Sequence, residues 1–199
     1  MFNLETAAEV SAYFLSKNGG TMEKVKLNKL MYLTERELVL SYGTTLTDDL
    51  MYSHNFGPVL EKSNSFFSNG PKNTYEQKVW LKWFCAFDKN NKNLSLNVNV
   101  FGEEFNNKFN NLFKLARRIM DKLYDEYGFL SYKEIISLTH NNKIYPEWKK
   151  PTKYDISVKE LCLLHGKTDS ETQGIVDSIE RNREMAQAME ELANYDREI

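Results

Sequence analysis

The sequence predicts a fold that is mainly α-helical with a minor β component. Apolar residues recur at spacings of three and four over most of the chain, a pattern typical of amphipathic helices. Between Leu94 and Val100 apolar and polar residues alternate instead, and this change of period indicates a strand. Apolar residues make up 41% of the 199 residues, which is enough for a buried core. We therefore expect a compact helical domain around a central helix at about 22–42, with one β-hairpin at about 75–100.

The first two helices carry boundary signals at their ends. A helix is predicted at 4–17, where Thr6 and Glu9 have the spacing of a capping box and Gly19-Gly20 follows as a stop. The central helix should end at Gly43, because glycine readily adopts the left-handed conformation at a helix C-terminus. Most of its apolar residues fall on one face: Val25, Leu27, Leu30, Met31, Leu38 and Val39.

The polar face of the central helix is expected to carry Lys26, Asn28 and Lys29, or to lie beside them. A polar turn is expected directly after Gly43, and Asp48-Asp49 then leads into a short apolar pair. A second, rigid turn is expected at Gly57-Pro58, where proline fixes its own backbone. A third, short helix is expected after the second turn.

The predicted hairpin has two unlike strands. Val79 to Phe87 is a continuous apolar run, Leu94 to Val100 alternates, and a polar loop at 88–93 joins them. The run contains Trp80 and Trp83 and is more apolar than one sheet face requires. Either both of its faces are buried, or one of them contacts a partner.

Helices are predicted for most of the remaining chain. Ser131 with Glu134 and Thr168 with Glu171 have capping-box spacing, so each pair should open a helix. The predicted helices are 103–126, 131–139, 155–164 and 168–197.

Charge divides the chain into two parts. Residues 168–199 contain nine acidic and three basic residues, whereas residues 1–167 carry a net charge of +4. We therefore predict a domain at 1–166 and an acidic helical C-terminal extension at 167–199. The balance of charge does not favour direct binding of nucleic acid.

Composition also predicts a soluble, cytoplasmic protein. The first nine residues contain two glutamates and do not resemble a secretory signal, and no run approaches the length of a membrane span. Cys85 and Cys162 stand far apart and form no CxxC motif, which favours two reduced thiols.

The sequence contains few candidates for catalysis. His54, His140 and His165 do not have the spacing of a metal site, and the chain has no glycine-rich nucleotide-binding loop. Asp48 and Asp49 are suited either to binding a divalent cation or to capping a turn or helix, and the capping role is favoured. We expect no cofactor. A hydrolase or metalloenzyme that uses Asp48, Asp49, His54 and His140 is the least favoured hypothesis.

Several short motifs occur in a distinctive order. They are Ala7, Val10, Tyr13 and Phe14 in the first helix, Lys26-Leu27-Asn28-Lys29-Leu30-Met31-Tyr32, Gly43 with Leu46-Thr47-Asp48-Asp49 and Tyr52, Gly57-Pro58-Val59, and Leu138-Thr139-His140 with Pro146-Glu147-Trp148. Together they resemble the Panacea domain, also called the SocA-like antitoxin domain, over about residues 4–150.

The resemblance implies a non-enzymatic protein that neutralises a toxin by direct binding. An alternative is a phage or prophage protein that inhibits a host protein or delivers it to a protease. Either way the implied partner is a protein, and a homo-oligomer is a further possibility.

Candidate residues follow from the motifs and from the acidic extension. A structural role is expected for Gly43, Gly57, Pro58 and Trp148. The candidate partner-binding residues are Lys26, Asn28, Lys29, Asp48, Asp49, Tyr52, His54, Asn55, His140, Ile175, Ile179, Met189 and Leu192.

The extension has only a sparse apolar seam, so the core is not expected to hold it along its full length. Three roles are compatible with this pattern: a solvated helix, an acidic arm that binds a basic partner, and one half of a helix pair in a homodimer.

Overall fold

A computed structural model of the chain describes residues 2–97, 109–150 and 152–195. The prediction of a mainly α-helical fold with minor β structure is confirmed. The helices in these ranges are α1 Leu4–Lys17, α2 Lys24–Tyr42, α3 Glu61–Asn69, α4 Thr74–Trp83, α5 Lys114–Tyr127, α6 Tyr132–Thr139, α7 Val158–Leu164 and α8 Asp169–Tyr195. The strands are β1 Thr21–Glu23, β2 Met51–His54, β3 Gly57–Leu60, β4 Asn93–Ser95 and β5 Tyr154–Asp155. No helix of the described residues is both long and apolar enough to cross a membrane.

Helix α2 lies at the centre of the domain, as predicted. It packs against α1, α3, α5, α6 and α7, and it also contacts β3. Gly43 ends it in the left-handed conformation at φ 60°, so that prediction is confirmed. The expected polar face is wrong, because Lys26, Asn28 and Lys29 are all buried. Other elements cover this helix on nearly every side, and these three side chains bond to backbone groups of Gly128, Leu60 and Pro58.

A three-stranded antiparallel sheet with the order β3-β2-β5 lies beside α2. Its hairpin pairs Met51 with Leu60 and His54 with Gly57. The predicted turn at Gly57-Pro58 is wrong, because both residues lie in β3 and the hairpin turns at Asn55 and Phe56. Pro58 fits because β3 is an edge strand, where a missing N–H breaks no bond in the sheet.

The predicted hairpin at 75–100 is wrong in its first strand. The apolar run begins within helix α4, whose N-terminus is capped by the Asn73 side chain. Val79, Trp80 and Trp83 are buried, whereas the residues at 77–78 and 81–82 are exposed. This spacing of buried residues is that of a helix and not of an alternating strand. The alternative in which both faces of the run are buried is wrong, because Leu81 is 49% exposed on the other side of α4 and Cys85 is exposed as well. Contact of that side with a partner stays a prediction.

The second strand of that prediction is confirmed only in part. Strand β4 exists, but it pairs with β1, and Leu96 forms a single bridge with Phe84. Val98 and Val100 lie outside the described residues.

The predicted bounds of the first helix, 4–17, are confirmed, but its predicted capping box is wrong. Asn3, and not Thr6, caps α1, and Glu9 is buried with its carboxylate accepting from the backbone N–H and side-chain amide of Asn111 at 2.8 Å each. The helix predicted at 103–126 begins at Lys114, and residues 103–108 lie outside the described ranges.

The capping boxes at the later helices are confirmed. Ser131 and Glu134 satisfy each other's backbone N–H groups, and so do Thr168 and Glu171. Helix α8 is buried at Thr172 and Ile179, whereas the described residues after Ile179 are exposed. The prediction that the core holds this helix over only part of its length is therefore confirmed.

The bond between Asn28 and β3 provides a test of how far α2 supports the sheet. The Asn28 amide donates to Leu60 O at 3.1 Å and accepts from Leu60 N at 3.0 Å. We expect Asn28→Leu to lower the free energy of unfolding by about 2–4 kcal/mol, because both Leu60 groups would stay buried without partners. Urea unfolding followed by circular dichroism measures this change.

The matched control is Ser41→Ala, on an exposed position of the same helix. We expect it to change the free energy of unfolding by less than about 0.5 kcal/mol. Equal effects at the two positions would contradict a supporting role for Asn28.

Candidate functional site

Motifs that are far apart in sequence meet around Gly57. Lys29 comes from α2, Gly57 opens β3, Thr139 and His140 stand at the end of α6, and Trp148 follows in the loop before β5. We call these five residues the Gly57 site. An alanine-type Cβ at Gly57 would lie 2.7 Å from Lys29 Nζ, 2.8 Å from Thr139 Oγ1 and 3.1 Å from His140 Cδ2. The site is therefore closed around a residue that has no side chain.

Lys29 lies at the bottom of the Gly57 site. Its side chain is fully buried, and Nζ donates to Pro58 O at 2.6 Å. In the described ranges no carboxylate lies within ion-pair distance of this amine. Burial lowers the pKa of Lys29 to about 7. The amine thus fixes the backbone of β3 at the cost of an uncompensated charge at neutral and acidic pH.

Trp148 and His140 cover the site. Their rings stack with centroids 3.9 Å apart and an angle of 4° between planes. The indole Nε1 donates to His54 O at 2.9 Å. Burial first, and then the positive charge of Lys29, lowers the pKa of His140, although a hydrogen bond to the Phe56 backbone acts in the opposite direction.

The turn of the hairpin forms the outer surface above the site. We call His54, Asn55 and Phe56 the hairpin tip. Phe56 is 58% exposed, and its ring lies 6.1 Å from that of His54. Asn55 is also exposed and accepts a hydrogen bond from Thr152 Oγ1. The structure therefore brings His54, Asn55 and His140 together, with Lys29 beneath them.

Asp49 is a helix cap at the other end of the hairpin. Its carboxylate accepts from the backbone N–H groups of Leu50, Lys62 and Ser63 at 2.7–2.9 Å and from the Ser63 hydroxyl at 2.6 Å. Burial raises the pKa of Asp49 even though these bonds oppose the shift. The favoured capping role is confirmed for this residue.

Asp48 is directed away from Asp49. It has a left-handed backbone at φ 55°, and its Oδ1 accepts from Arg183 Nε at 2.7 Å. Burial alone would raise the pKa of Asp48, but the bond to Arg183 brings it below its ordinary value. No cluster of three or more potential metal ligands occurs among the described residues. Tyr52 lies in the middle of β2, paired with Val59 and Asp155.

A second buried polar cluster was not predicted from the sequence. Glu147 is fully buried, and Tyr32 Oη donates to its Oε1 at 2.7 Å while Arg36 Nε donates to the same oxygen at 2.8 Å. Its Oε2 lies 2.9 Å from His165 Nε2. Burial would raise the pKa of Glu147, but the Arg36 charge and these hydrogen bonds hold it below its ordinary value. The i, i+4 spacing of Tyr32 and Arg36 was the signal that could have placed them on one face.

Residues 27–149, more than half of the chain, match the model of a known family, the SocA-like antitoxin Panacea domain. The chain belongs to the Panacea family. The match begins inside α2 and ends one residue after Trp148, so it contains the whole Gly57 site. Nothing matched among curated proteins or among solved structures.

Five of the predicted binding residues lie outside the Panacea match: Lys26, one residue before it, and four in α8. Ile175 is half-buried beside Gly43, and Ile179 is buried. Met189 and Leu192 are each 66% exposed and contribute nothing to the core.

The close contacts of Gly57 can be tested with a matched glycine. We expect Gly57→Ala to lower the free energy of unfolding by about 3–5 kcal/mol, because strain at φ +92° adds to crowding against Lys29 and Thr139. Gly19→Ala is the control, since Gly19 has φ +71° but an added Cβ would meet nothing within 4 Å. It should cost only about 1–2 kcal/mol. Chemical denaturation of both variants measures the difference, and equal losses would rule out the crowding.

The buried charge of Lys29 predicts a pH dependence of stability. The pKa of this amine is about 7 in the folded chain, against an ordinary value of 10.5. Between these values the unfolded chain binds a proton that the folded chain does not, so this residue makes stability rise with pH across that window. Below pH 7 the amine is protonated in both the folded and the unfolded chain, so the full cost of burying its charge is present.

Lys29→Met removes this contribution. We expect its stability relative to the unaltered protein to decrease as pH increases from 7 to 10, measured by urea unfolding at each pH. Lys133→Met, at an exposed position, is the control and should give a curve parallel to that of the unaltered protein. A parallel curve for Lys29→Met would contradict the assignment.

Proposed function

We propose that this protein is an antitoxin that binds its cognate toxin directly and neutralises it without catalysing a reaction. Membership in the SocA-like antitoxin family supports an antitoxin-like role with a protein partner. The observation that carries the proposal is how the motif residues are used. Their side chains bond to the protein's own backbone and fix the hairpin beneath an exposed tip.

Three contacts hold the hairpin in place. Lys29 bonds to Pro58 O, Trp148 bonds to His54 O, and Asn28 bonds to both backbone groups of Leu60. Side chains committed in this way are not free for chemistry on a substrate. A rigidly supported loop is instead suited to protein recognition, because little conformational freedom remains to be lost on binding.

The hairpin tip has the composition of a small contact centre. Phe56 is a large exposed aromatic, and the polar residues His54, Asn55 and His140 surround it. Aromatic side chains within a polar rim often dominate the binding energy of protein interfaces. We propose that the toxin contacts this tip, and that Asn28 and Lys29 support the surface from inside. Lys26 bonds instead to Gly128 O at 2.6 Å, in the connection between α5 and α6.

We propose that the chain has two parts with different roles. Residues 1–166 form the Panacea domain with the hairpin tip, and residues 167–199 form an acidic helical extension. Helix α8 begins against α7 and against Gly43, so the extension is anchored at its start.

Co-expression with the product of the adjacent reading frame tests the function. We expect that product to stop growth when expressed alone, and growth to return when this chain is expressed with it. The two proteins should co-purify as a complex of defined stoichiometry. A toxic neighbour that this chain neither binds nor neutralises would overturn the proposal.

A pair of aromatic substitutions tests the hairpin tip. We expect Phe56→Ser to weaken toxin binding by about 2 kcal/mol or more, because it removes the apolar centre of the contact. The control is Phe129→Ser, since Phe129 is 79% exposed but stands in the connection between α5 and α6. Isothermal titration calorimetry compares the two variants, and equal affinities would place the contact elsewhere.

A further inference from the structure

Helix α8 has an anchored half and a free half. It is 27 residues long. The anchored half is fixed by buried Thr172 and Ile179 and, at its end, by the bond from Arg183 Nε to Asp48 Oδ1 at 2.7 Å. Beyond this bond, the described side chains as far as Leu192 are all exposed. We call residues 184–195 the distal arm.

The distal arm has an apolar stripe that the domain does not cover. Met185, Met189 and Leu192 stand at spacings of four and three, so they lie on one side of the helix. Their exposed fractions are 62%, 66% and 66%. Ala186 and Ala188 stand on either side of the stripe and make it wider.

The stripe is not a continuation of the anchored face. With a step of about 100° per residue, it points about 130° away from the mean direction of Thr172, Ile179 and Arg183. A straight extension of α8 therefore turns these side chains away from the protein's own core. Met185, Met189 and Leu192 are therefore exposed because their positions in the helical repeat place them on the side opposite the anchored face.

The charge of the distal arm determines what kind of surface can cover the stripe. Residues 184–195 contain Glu184, Glu190 and Glu191 and no lysine or arginine. A second copy of the arm would bring two acidic helices together, and the like charges would repel. Three large side chains per copy also bury far less than the roughly 1,200 Å² at which stable interfaces begin. Pairing with a second copy is therefore disfavoured on both counts.

We infer that the distal arm binds as a helix in an apolar groove with basic edges on the toxin. This inference rests on the proposed function. A groove surrounds a helix on more than one side, so it buries more of the stripe and its alanines than a second helix does. Methionine adapts to an irregular apolar floor, and the three glutamates complement basic edges. The anchor at Asp48 and Arg183 holds the arm in position beside the domain.

The test uses the full chain and the purified product of the adjacent reading frame. The variant carries Met185→Gln, Met189→Gln and Leu192→Gln, which removes the stripe but keeps good helix formers. We expect its affinity for the toxin to be lower by a factor of about 100 or more. The control Gln187→Ala changes the opposite side of the same helix and should leave the affinity unchanged.

A second variant tests the charge. Glu184→Lys, Glu190→Lys and Glu191→Lys together should slow association by about tenfold or more at low salt, with a smaller difference at high salt. An association rate that these changes leave unaltered would overturn the basic-edged groove.

The outcomes separate the two proposals. If the unaltered chain does not bind the toxin, the proposed function fails. If it binds and the glutamine variant binds equally well, the function stands and the arm inference is wrong. The inference is also wrong if the glutamine variant loses its circular dichroism spectrum, because the stripe was then part of the core. Sedimentation equilibrium provides the last check, since a dimer of the unaltered chain that the glutamine changes dissociate would assign the stripe to a second copy.

Discussion

The fold depends on polar side chains of α2 that bond to the backbone of the sheet beside it. Asn28 and Lys29 bond to Leu60 and Pro58, two residues apart on the outer edge of β3. They satisfy groups that a further strand would otherwise bind, so a helix closes the edge of the sheet. Glu35 of α2 likewise satisfies backbone groups of the loop between α2 and β2, because its carboxylate accepts from Leu46 N and Thr47 N. Burial raises the pKa of this carboxyl to about 7. Each of these buried backbone groups would destabilise the protein if it had no partner. The loops therefore adopt the one conformation in which side chains of α2 can bond to them.

The helices could be predicted where local signals identify their ends, whereas among the described strands only β4 was indicated, by its alternating pattern. Gly43, Ser131 and Thr168 mark helix ends through short-range bonds that the sequence records directly. The run from Val79 to Phe87 was misassigned because a short apolar run has no decisive period. The hairpin of β2 and β3 was missed for a different reason. Its strands have four residues each, and their partners include an asparagine and a lysine from a helix, which no strand pattern reveals.

For the candidate site, the identity of the important residues could be predicted but their environment could not. The motif resemblance selected Lys29, Gly57, His140 and Trp148, and these meet in one place. The burial of Lys29 was unexpected, since lysine on a helix is ordinarily exposed. The cluster at Glu147 shows the limit more clearly, because Arg36 and Glu147 are 111 positions apart in the chain. Only the packed domain brings such residues together.

The way the hairpin is held also has a consequence for how this surface can evolve. The oxygens that Lys29 and Trp148 bind belong to the main chain of Pro58 and His54, and every amino acid supplies such an oxygen. The position of the turn is therefore largely independent of the side chains it displays at 54–56. Those residues can change while the scaffold stays as it is, and under the proposed function such changes would alter which toxin is recognised. Antibody loops likewise vary in sequence on a framework of constant shape. Residues 54–56 are therefore suitable positions for engineering a new binding specificity.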